Sequence, residues 1–469
     1  MNIKGRRHWV RKLSLLFISL AVAGWPLRAG AQTLDTSALE RVALEELKTT
    51  RTPGAAVALV LDGKVVFARG FGVASVNTGA PVTADMLFRL GSTTKMLTAA
   101  MVVSLAEEGK LKLDVPIGTY VQGLPPRLSQ ATLHQLLSHS SGLRDEATMF
   151  GLHDDLALGQ TVRTLTDDFF FTEPAKIYSY ANPGYWAAGF VGEVVAGKPY
   201  ADAMNDRLFQ PLGMKRTTLR PTMAMTYPLA QGHDQNGTAP PFVVRPAADN
   251  AGNWPAGSVF SNVEDLARFV IAFMNGGVID GKQALPAGAM TRMSTPQVEV
   301  QASEPTSYGY GLSIRNDRGI RMLTHGGSRS GYGSSIAVAP DRRAAVIVLA
   351  NRSGSSLSKT ADTAMGMVLG RGPQPEQPVP TAVPMTAEEM RRYAGAYSQT
   401  GKAAVELLIQ EGKLVIRQGA STLPVIKLGD RRFGSVRPGT ARPQEFFLVP
   451  GADGRAEYFC RGSRAYKRL

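Results

Sequence analysis

The arrangement of apolar and polar residues predicts two helices and a hairpin in the first quarter of the chain. Residues 39–50, LERVALEELKTT, carry apolar side chains at helical spacing. Residues 55–72 hold two apolar runs of strand-like composition joined at Asp62-Gly63, a dipeptide typical of tight hairpin turns. From Ser92 to residue 111 the chain is apolar on most sides of a helix, which predicts a buried helix.

The middle of the chain has a mainly helical pattern. Residues 110–250 are rich in short loops and mixed helices and show no clear strand ladder. Residues 261–277, SNVEDLARFVIAFMNGG, predict a well-marked helix that ends at its glycine pair. Ser261 and Glu264 have the spacing of a capping box, so we expect them to begin this helix.

Strand patterns return beyond residue 300. They occupy residues 308–314, 319–327, 334–339 and 344–351, and the last two runs flank a turn at Pro340-Asp341. The order hairpin, helix, helical block, helix and strands predicts one α/β (α+β) body. Its sheet is built from both ends of that body, with a helical insertion between them.

A proline-rich segment separates this body from a second module. Residues 371–384 hold five prolines in fourteen positions, which predicts a stiff, extended linker between a body at 32–370 and a module at 385–469. That module contains a capped short helix at 386–397, followed by strands. We expect a small antiparallel β-barrel, with a sandwich as the alternative.

Residues 1–31 have the features of a secretory signal peptide. Basic residues precede the apolar run LSLLFISLAVAG, and AGA at 29–31 supplies a cleavage site before Gln32. A membrane anchor is disfavoured because the run is shorter than the roughly 20 residues that a spanning helix needs. We therefore expect an exported, periplasmic or secreted protein with no integral membrane span after cleavage; Arg6-Arg7 leave a twin-arginine route open.

The net charge of +14 belongs largely to the two ends of the chain. The leader has six basic and no acidic residues, and residues 380–469 have fifteen basic and eight acidic ones. The body is nearly neutral and lacks the basic, aromatic-interleaved stripe of nucleic-acid-binding proteins. The basic module is either a solvated surface or a surface for an anionic cell envelope.

The histidine and cysteine content argues against a metal centre and against internal disulfides. The six histidines show neither HExxH nor paired ligand spacing, and Cys460 is the only cysteine. Cys460 lies among apolar neighbours, so we interpret it as structural. We expect no metal or organic cofactor.

The first candidate for chemistry is the pair Ser92 and Lys95 in FRLGSTTKML. Lysine at i+3 shares one helix face with the serine, and burial in an apolar helix lowers the pKa of a lysine toward that of a useful base. The alternative is that Ser92 merely caps the helix. A second S-x-x-K, at Ser356 and Lys359, lies in a polar loop with no apolar helix to bury its lysine.

Two further stretches carry suitable side chains. In YSYANPGY, Tyr180 and Asn182 lie two positions apart; a phenol beside an ammonium can act as a base, and an amide can orient substrate. An aromatic turn packed on the core is the alternative.

In LTHGGSRSG, His325 is followed by glycines that let the strand approach a ligand, and the N–H of Ser328 can pair with that of Ser92 as an oxyanion hole. An ordinary glycine-rich turn is the alternative there.

Taken in this order, the three stretches resemble the serine β-lactamase and penicillin-binding-protein family, in the branch of class C β-lactamases, DD-peptidases and related esterases. The resemblance covers about residues 36–370 and includes TLHQLLSHSSGL at 132–143 and PAGSVFSNVEDLARF at 255–269. It implies an antiparallel sheet flanked by helices. The tail resembles the small β-barrel that is often appended to these hydrolases.

The resemblance also implies the roles of the site residues. Ser92 would be the acylated nucleophile, Lys95 would share its proton and Tyr180 would be the general base. Substrate would be held by Asn182, His325, Gly327 and Ser328, the last together with the N–H of Ser92. His139 lies in a family signature, and we interpret it as structural.

One position departs from the family pattern. His325 stands where true β-lactamases have lysine, and Gly326 lacks the following hydroxyl. A histidine is mostly neutral near pH 7, so substrates that carry a carboxylate lose a charge-assisted contact of about 1.5–3 kcal/mol. Arg329 and Arg321 are the candidates for a replacement cation. The departure favours esterase or peptidase activity over efficient β-lactamase activity.

The sequence therefore predicts an exported serine hydrolase that cleaves an ester, amide or peptide bond of a small-molecule substrate through a Ser92 acyl-enzyme. One alternative is a penicillin-recognising DD- or D-amino-acid peptidase with weak β-lactamase action. Another is a non-catalytic envelope-binding protein on the same fold, against which the intact set of Ser92, Lys95, Tyr180 and Asn182 argues.

Overall fold

A computed structural model describes residues 35–372, 378–440 and 442–469. The predicted leader and residues 373–377 of the predicted linker lie outside these described residues.

The described strands form one large sheet, one closed barrel and three two-stranded ribbons. In chain order they are β1 (Gly54–Leu61), β2 (Lys64–Gly72), β3 (Phe88–Arg89), β4 (His233–Asp234), β5 (Phe242–Val243), β6 (Phe260–Ser261), β7 (Val278–Ile279), β8 (Lys282–Gln283), β9 (Val298–Val300), β10 (Thr306–Tyr308), β11 (Ser313–Asp317), β12 (Ile320–Arg329), β13 (Tyr332–Ala339), β14 (Ala344–Ala350), β15 (Gly395–Ser398), β16 (Val405–Gln410), β17 (Lys413–Gln418), β18 (Ser421–Lys427), β19 (Arg432–Ser435), β20 (Gln444–Pro450), β21 (Ala456–Arg461) and β22 (Arg464–Arg468).

The α-helices lie mostly between the hairpin and the later strands. They are α1 (Ser37–Thr50), α2 (Thr94–Glu107), α3 (Pro126–Gln130), α4 (Leu133–Leu137), α5 (Ala157–Arg163), α6 (Asn182–Ala196), α7 (Tyr200–Met204), α8 (Gln210–Leu212), α9 (Pro221–Ala224), α10 (Trp254–Gly257), α11 (Val263–Met274), α12 (Ala287–Met293), α13 (Ser358–Val368) and α14 (Ala387–Tyr393). Across the described ranges, none of the helices combines the length and apolar character that crossing a membrane requires.

The large sheet joins the two ends of the body, as the sequence predicts. Its eight antiparallel strands run in the order β2-β1-β14-β13-β12-β11-β10-β9. The pairing of Ala55 with Ala350 and of Leu61 with Ala344 sets β1 against β14. The hairpin between β1 and β2 turns at Asp62 and Gly63, both at positive φ, as a type I′ turn requires. The predicted α+β body with an antiparallel sheet is confirmed.

Helices cover both faces of this sheet. Helix α11 packs against β1 and β14 on one face, while α1 and α13 pack together on the other. Helix α2 is buried along almost its whole length because it runs through the main hydrophobic core, which explains its lack of a polar face.

The predicted start of α11 is wrong by one residue. Asn262, not Ser261, is the N-cap, and its side chain accepts a hydrogen bond from the N–H of Asp265 at 2.7 Å. Ser261 still belongs to strand β6, which pairs with β3, so the helix cannot begin there. The Ser261 hydroxyl instead contacts that of Thr217 at 2.7 Å.

The C-terminal strands close an eight-stranded antiparallel barrel, so the barrel is correct and the sandwich alternative is not. Aromatic and aliphatic side chains fill its interior, among them Phe433, Phe446 and Phe459. Helix α14 begins with a capping box formed by Thr386 and Glu389.

Candidate active site

Ser92 lies in a single 3₁₀ turn, Gly91–Thr93, directly before helix α2. The N-cap position of α2 is Thr93, so Ser92 does not serve as the helix cap. The Thr93 hydroxyl donates to the carbonyl of Leu90 at 2.9 Å and fixes the turn. This arrangement leaves the Ser92 side chain at the wall of a cleft.

Lys95 is fully buried one turn further on, with its ammonium directed at Ser92. Its Nζ lies 3.4 Å from Ser92 Oγ and donates to Asn182 Oδ1 and to the carbonyl of Ala256, both at 2.7 Å. Burial lowers the pKa of Lys95 to about 7, because the charged form loses its hydration. A substantial share of this lysine is therefore neutral near pH 7.

Tyr180 stands beside both groups. Lys95 Nζ lies 4.6 Å from the centre of its ring, and the ring of buried His139 packs against it at 4.3 Å. Burial raises the pKa of Tyr180, and the nearby Ser92 hydroxyl acts in the opposite direction. The Tyr180 hydroxyl still makes no hydrogen bond of normal geometry with any described residue. The neutral phenol is the form that this environment favours.

A chain of polar contacts runs from Lys95 to the barrel. Asn182, the first residue of α6, uses both its backbone N–H and its side-chain Nδ2 to donate to Asp145 Oδ1, at 2.8 and 3.0 Å. The other oxygen of Asp145 accepts from Arg464 Nε at 2.8 Å and also from Nη2 of the same guanidinium. Arg464 begins strand β22, so the barrel contributes to the surroundings of Lys95.

The hairpin between β21 and β22 lies on the segment that carries Tyr180. The N–H of Tyr180 donates to the carbonyl of Ser463 at 2.8 Å, and the N–H of Ala465 donates to the Ser179 hydroxyl at 3.2 Å. The Arg464 guanidinium lies 5.5 Å from the centre of the Tyr180 ring. The barrel therefore borders the cleft directly.

His325 is buried on β12 and is neutral. Burial lowers its pKa to about 3, and the positive charge of Lys95 acts in the same direction. Its Nδ1 lies 2.6 Å from the carbonyl of Gly326 and therefore carries the proton, while Nε2 accepts from Tyr308 Oη at 3.1 Å. His325 thus supplies no cation to the cleft, even well below pH 7.

Glycines bring strand β12 against the nucleophile turn. A side chain at Gly327 would place its Cβ 2.0 Å from the carbonyl oxygen of Leu90 and 3.1 Å from the backbone nitrogen of Ser92. Gly91 has a φ of +56°, and a Cβ there would lie 2.7 Å from the backbone nitrogen of Ser328. Only glycine allows this approach, which brings the backbones of Ser92 and Ser328 into one small region.

These residues surround a cleft of about 450 Å³. Five of the seven site residues predicted from the sequence border it: Ser92, Tyr180, His325, Gly327 and Ser328. A sixth, Lys95, contacts Ser92 from behind the wall of the cleft. Asn182 lies behind the wall and reaches the site through Lys95. The other serine–lysine motif is not equivalent: Ser356 borders the cleft, but Lys359 is exposed at the start of α13.

The two arginines considered as replacement cations have other partners. Arg329 is buried and donates to the carbonyls of Gly257 and Ala248, both at 3.1 Å. Arg321 donates to the carbonyl of Ser294. The arginine that does border the cleft is Arg464. The sequence analysis missed it because a turn in a basic tail carries no local pattern that shows which part of the body it contacts.

Comparisons with known proteins agree with this geometry. A family model described as Beta-lactamase matches residues 39–368. Penicillin-binding protein 4 of Amycolatopsis lactamdurans is 29% identical over 75% of this chain and 94% of its own length. The D-aminopeptidase of Brucella anthropi is 27% identical over 72% of this chain and 63% of its own length.

Among solved structures, the crystal structure of SurE superposes with a TM-score of 0.76 at 26% identity, covering 92% of this chain and 98% of that one. The match therefore extends over the barrel as well as the body. The family match spans well over half of the chain and includes the nucleophile turn, helix α6 and strand β12. The chain belongs to the Beta-lactamase family of serine hydrolases.

Proposed function

We propose that this protein hydrolyses an ester or amide bond through an acyl-enzyme on Ser92. The observation that carries this proposal is the buried ammonium of Lys95, whose Nζ lies 3.4 Å from Ser92 Oγ and whose pKa is about 7. A serine hydroxyl needs a nearby base to become a nucleophile. A lysine that is partly neutral at pH 7 can be that base.

In the proposed acylation step, neutral Lys95 takes the proton of Ser92 while Oγ bonds to the substrate carbonyl carbon. The negative charge on the carbonyl oxygen would be met by the N–H groups of Ser92 and Ser328. As the bond to the leaving group breaks, the proton passes through the Tyr180 hydroxyl to that group. Water then attacks the acyl-enzyme, and the acid is released with Ser92 restored.

Tyr180 is proposed as a proton relay rather than as a phenolate. Its burial favours the protonated form, and its hydroxyl lies beside that of Ser92 without a hydrogen bond of normal geometry to any described residue. A substrate leaving group would supply such a bond. Lys95 and Tyr180 therefore divide the role of general base and general acid.

The neutral state of His325 sets an expected substrate preference. With the mature protein at pH 7, we expect kcat/KM for a short-chain p-nitrophenyl ester to exceed that for nitrocefin by at least about tenfold, because one charge-assisted contact to the nitrocefin carboxylate is absent. Both activities are measured spectrophotometrically, with Ser92→Ala as the blank. Nitrocefin turnover above ester turnover would contradict the role given to His325.

A second candidate is a peptidase for D-amino-acid or DD-peptides, favoured by Arg464 at the edge of the cleft. Its guanidinium could hold a substrate carboxylate that His325 cannot. Penicillin-binding protein 4 and D-aminopeptidase are among the relatives. Faster cleavage of a D-alanyl-D-alanine peptide than of its C-terminal amide, with the difference lost in Arg464→Gln, would select this candidate.

The pH dependence of turnover tests the contacts behind Lys95. The kcat/KM for the ester substrate is expected to rise through about pH 7, because neutral Lys95 is the active form. Asp145 raises the pKa of Lys95 and Arg464 lowers it. Asp145→Asn should therefore move the rising limb to lower pH and Arg464→Gln to higher pH, each by roughly 0.5–1 unit.

The two variants serve as controls for one another in kcat/KM profiles from pH 5 to 9. A general loss of folding or packing would lower both profiles without moving them in opposite directions. Shifts in the same direction would show that the charges of Asp145 and Arg464 do not act on the titrating group.

We also propose export and a two-module organisation. The leader at 1–31 would be removed before Gln32, leaving a hydrolase body at 32–370, a linker at 371–384 and a barrel module at 385–469. The pattern of basic, apolar and small residues in the leader supports this proposal. Mass spectrometry of the protein recovered outside the cytoplasm tests it, and an intact residue 1 there would contradict it.

A further inference from the structure

The interior of the barrel changes character at one end. Successive residues of a strand face opposite sides, so a residue two positions from a core residue shares its face. The core residues Ile416, Phe433, Phe446 and Phe459 point inward. On the same face, two positions away along each strand, lie four polar residues: Gln418, Ser435, Gln444 and Arg461.

These four polar residues line a cavity of about 530 Å³ at that end of the barrel. The remaining lining residues are Ile416, Ser421, Leu423, Arg437 and Pro438. The cavity is large enough for a small organic molecule. Two of its lining residues are arginines, and none is acidic.

Arg461 has fewer partners than a guanidinium in this position needs. Its Nη1 donates to Gln418 Oε1 at 2.8 Å and lies 3.5 Å from Gln444 Oε1. Its Nε and Nη2 are buried and find no acceptor among the described residues. Its guanidinium carbon also lies 5.1 Å from the centre of the Phe459 ring. A cation held in this way, without a carboxylate, costs stability unless a ligand supplies the charge.

Arg437 adds a second positive charge to the lining of the cavity. Burial lowers the pKa of Arg461, Tyr466 acts in the opposite direction, and the charge of Arg437 lowers the pKa further, which means that the two guanidinium groups repel one another. Two other arginines on the barrel are paired with carboxylates: Arg417 with Glu406, and Arg432 with Glu445. Among the described residues, no carboxylate lines the cavity to neutralise this positive charge.

We propose that this cavity binds a small organic carboxylate, whose charge is met by Arg461 and whose apolar part lies against Ile416 and Leu423. Carboxylates match the planar fork of a guanidinium and form charge-assisted hydrogen bonds with it. The apolar floor formed by the barrel core favours a ligand with a hydrocarbon portion over a fully polar anion. The site does not require that Ser92 be catalytic.

Sodium hexanoate is a suitable probe, titrated calorimetrically into the full chain at pH 7. We expect one molecule to bind per chain with a Kd below about 1 mM. Arg461→Gln, which keeps a polar side chain but is shorter and has no charge, should weaken binding at least about tenfold. Arg417→Gln is the matched control and should bind as the native protein does, because Arg417 is exposed on β17, next to the lining residue Gln418, and is not among the residues that line the cavity.

A second variant and a melting temperature test the same cavity independently. Ser435→Leu fills the cavity from another of its lining residues and should also abolish binding, so the test does not depend on Arg461→Gln alone. A melting temperature for Arg461→Gln at or above that of the native protein would show that its barrel is folded. Binding to both variants with native affinity would overturn the proposal.

Two further comparisons test whether hexanoate binds in the catalytic cleft instead and whether the cavity binds any small anion. Arg461 pairs with Arg464 across the turn at Gly462-Ser463, so the catalytic cleft is close along the chain. Loss of hexanoate binding in Arg464→Gln but not in Arg461→Gln would place the ligand in that cleft and overturn the proposal. Equal affinity for inorganic phosphate would likewise overturn it, because the apolar wall would then contribute nothing.

Discussion

Ser92→Ala is expected to lower kcat/KM for the p-nitrophenyl ester by at least about 10³-fold while leaving the fold intact. The substitution removes the only atom of Ser92 that can form the acyl-enzyme, and it leaves the backbone N–H of the turn in place. Residual turnover would come from binding and from the oxyanion-stabilising N–H groups. Steady-state kinetics and intact-protein mass spectrometry with a slowly released acyl donor measure the loss of turnover and of the covalent adduct.

The chain offers a matched control in its second serine–lysine motif. Ser356 borders the same cleft, but its lysine, Lys359, is exposed and not directed at it. Ser356→Ala should therefore stay within about threefold of native activity and keep the acyl adduct. If Ser356→Ala lost the adduct and Ser92→Ala kept it, the nucleophile would have been assigned to the wrong motif.

Lys95→Met is expected to have the second-largest effect, a loss of about 10²–10⁴ in kcat/KM, which is the range for removing a general base. Methionine is similar in length but cannot accept a proton. The rise of activity through about pH 7 should disappear, because the titrating group is gone. The measurement is the ester pH profile from pH 5 to 9, alongside circular dichroism and thermal melting.

Lys359→Met, at the exposed lysine of the second motif, is the control for this experiment. It should keep both the native activity and the native pH profile. A Lys95→Met variant that kept the rising limb would assign the titration to another group. Tyr180 would be an unsuitable substitute, since burial moves its pKa away from neutrality.

Patterns local in sequence were sufficient for much of the fold. Asp62-Gly63 predicts its hairpin because a type I′ turn needs two residues that tolerate positive φ. The start of α11 was missed by one residue because both Ser261 and Asn262 are good N-caps. Only the pairing of β6 with β3 decides between them, and that pairing is a tertiary contact.

The site shows the same limit. The motifs of Ser92, Tyr180 and His325 are each recognisable, and the structure brings them to one cleft. The contact of Arg464 with Asp145 could not be anticipated, because it joins residues 319 positions apart and depends on how the barrel docks. The pKa of Lys95 depends on burial and on these two charges, so it too required the folded chain.

The contact between Arg464 and Asp145 joins the site to a strand that is synthesised much later than Ser92. A ribosome releases the nucleophile turn and Asp145 long before the strand that holds Arg464, and early segments can fold while later ones are still being made. A hydrolase body that folds at that stage would hold Ser92 and Lys95 without the guanidinium that lowers the pKa of the lysine. Its base would be more fully protonated and its nucleophile less reactive until the barrel arrives. In such a chain, completion of the barrel would be the step that lowers the pKa of Lys95 through Arg464.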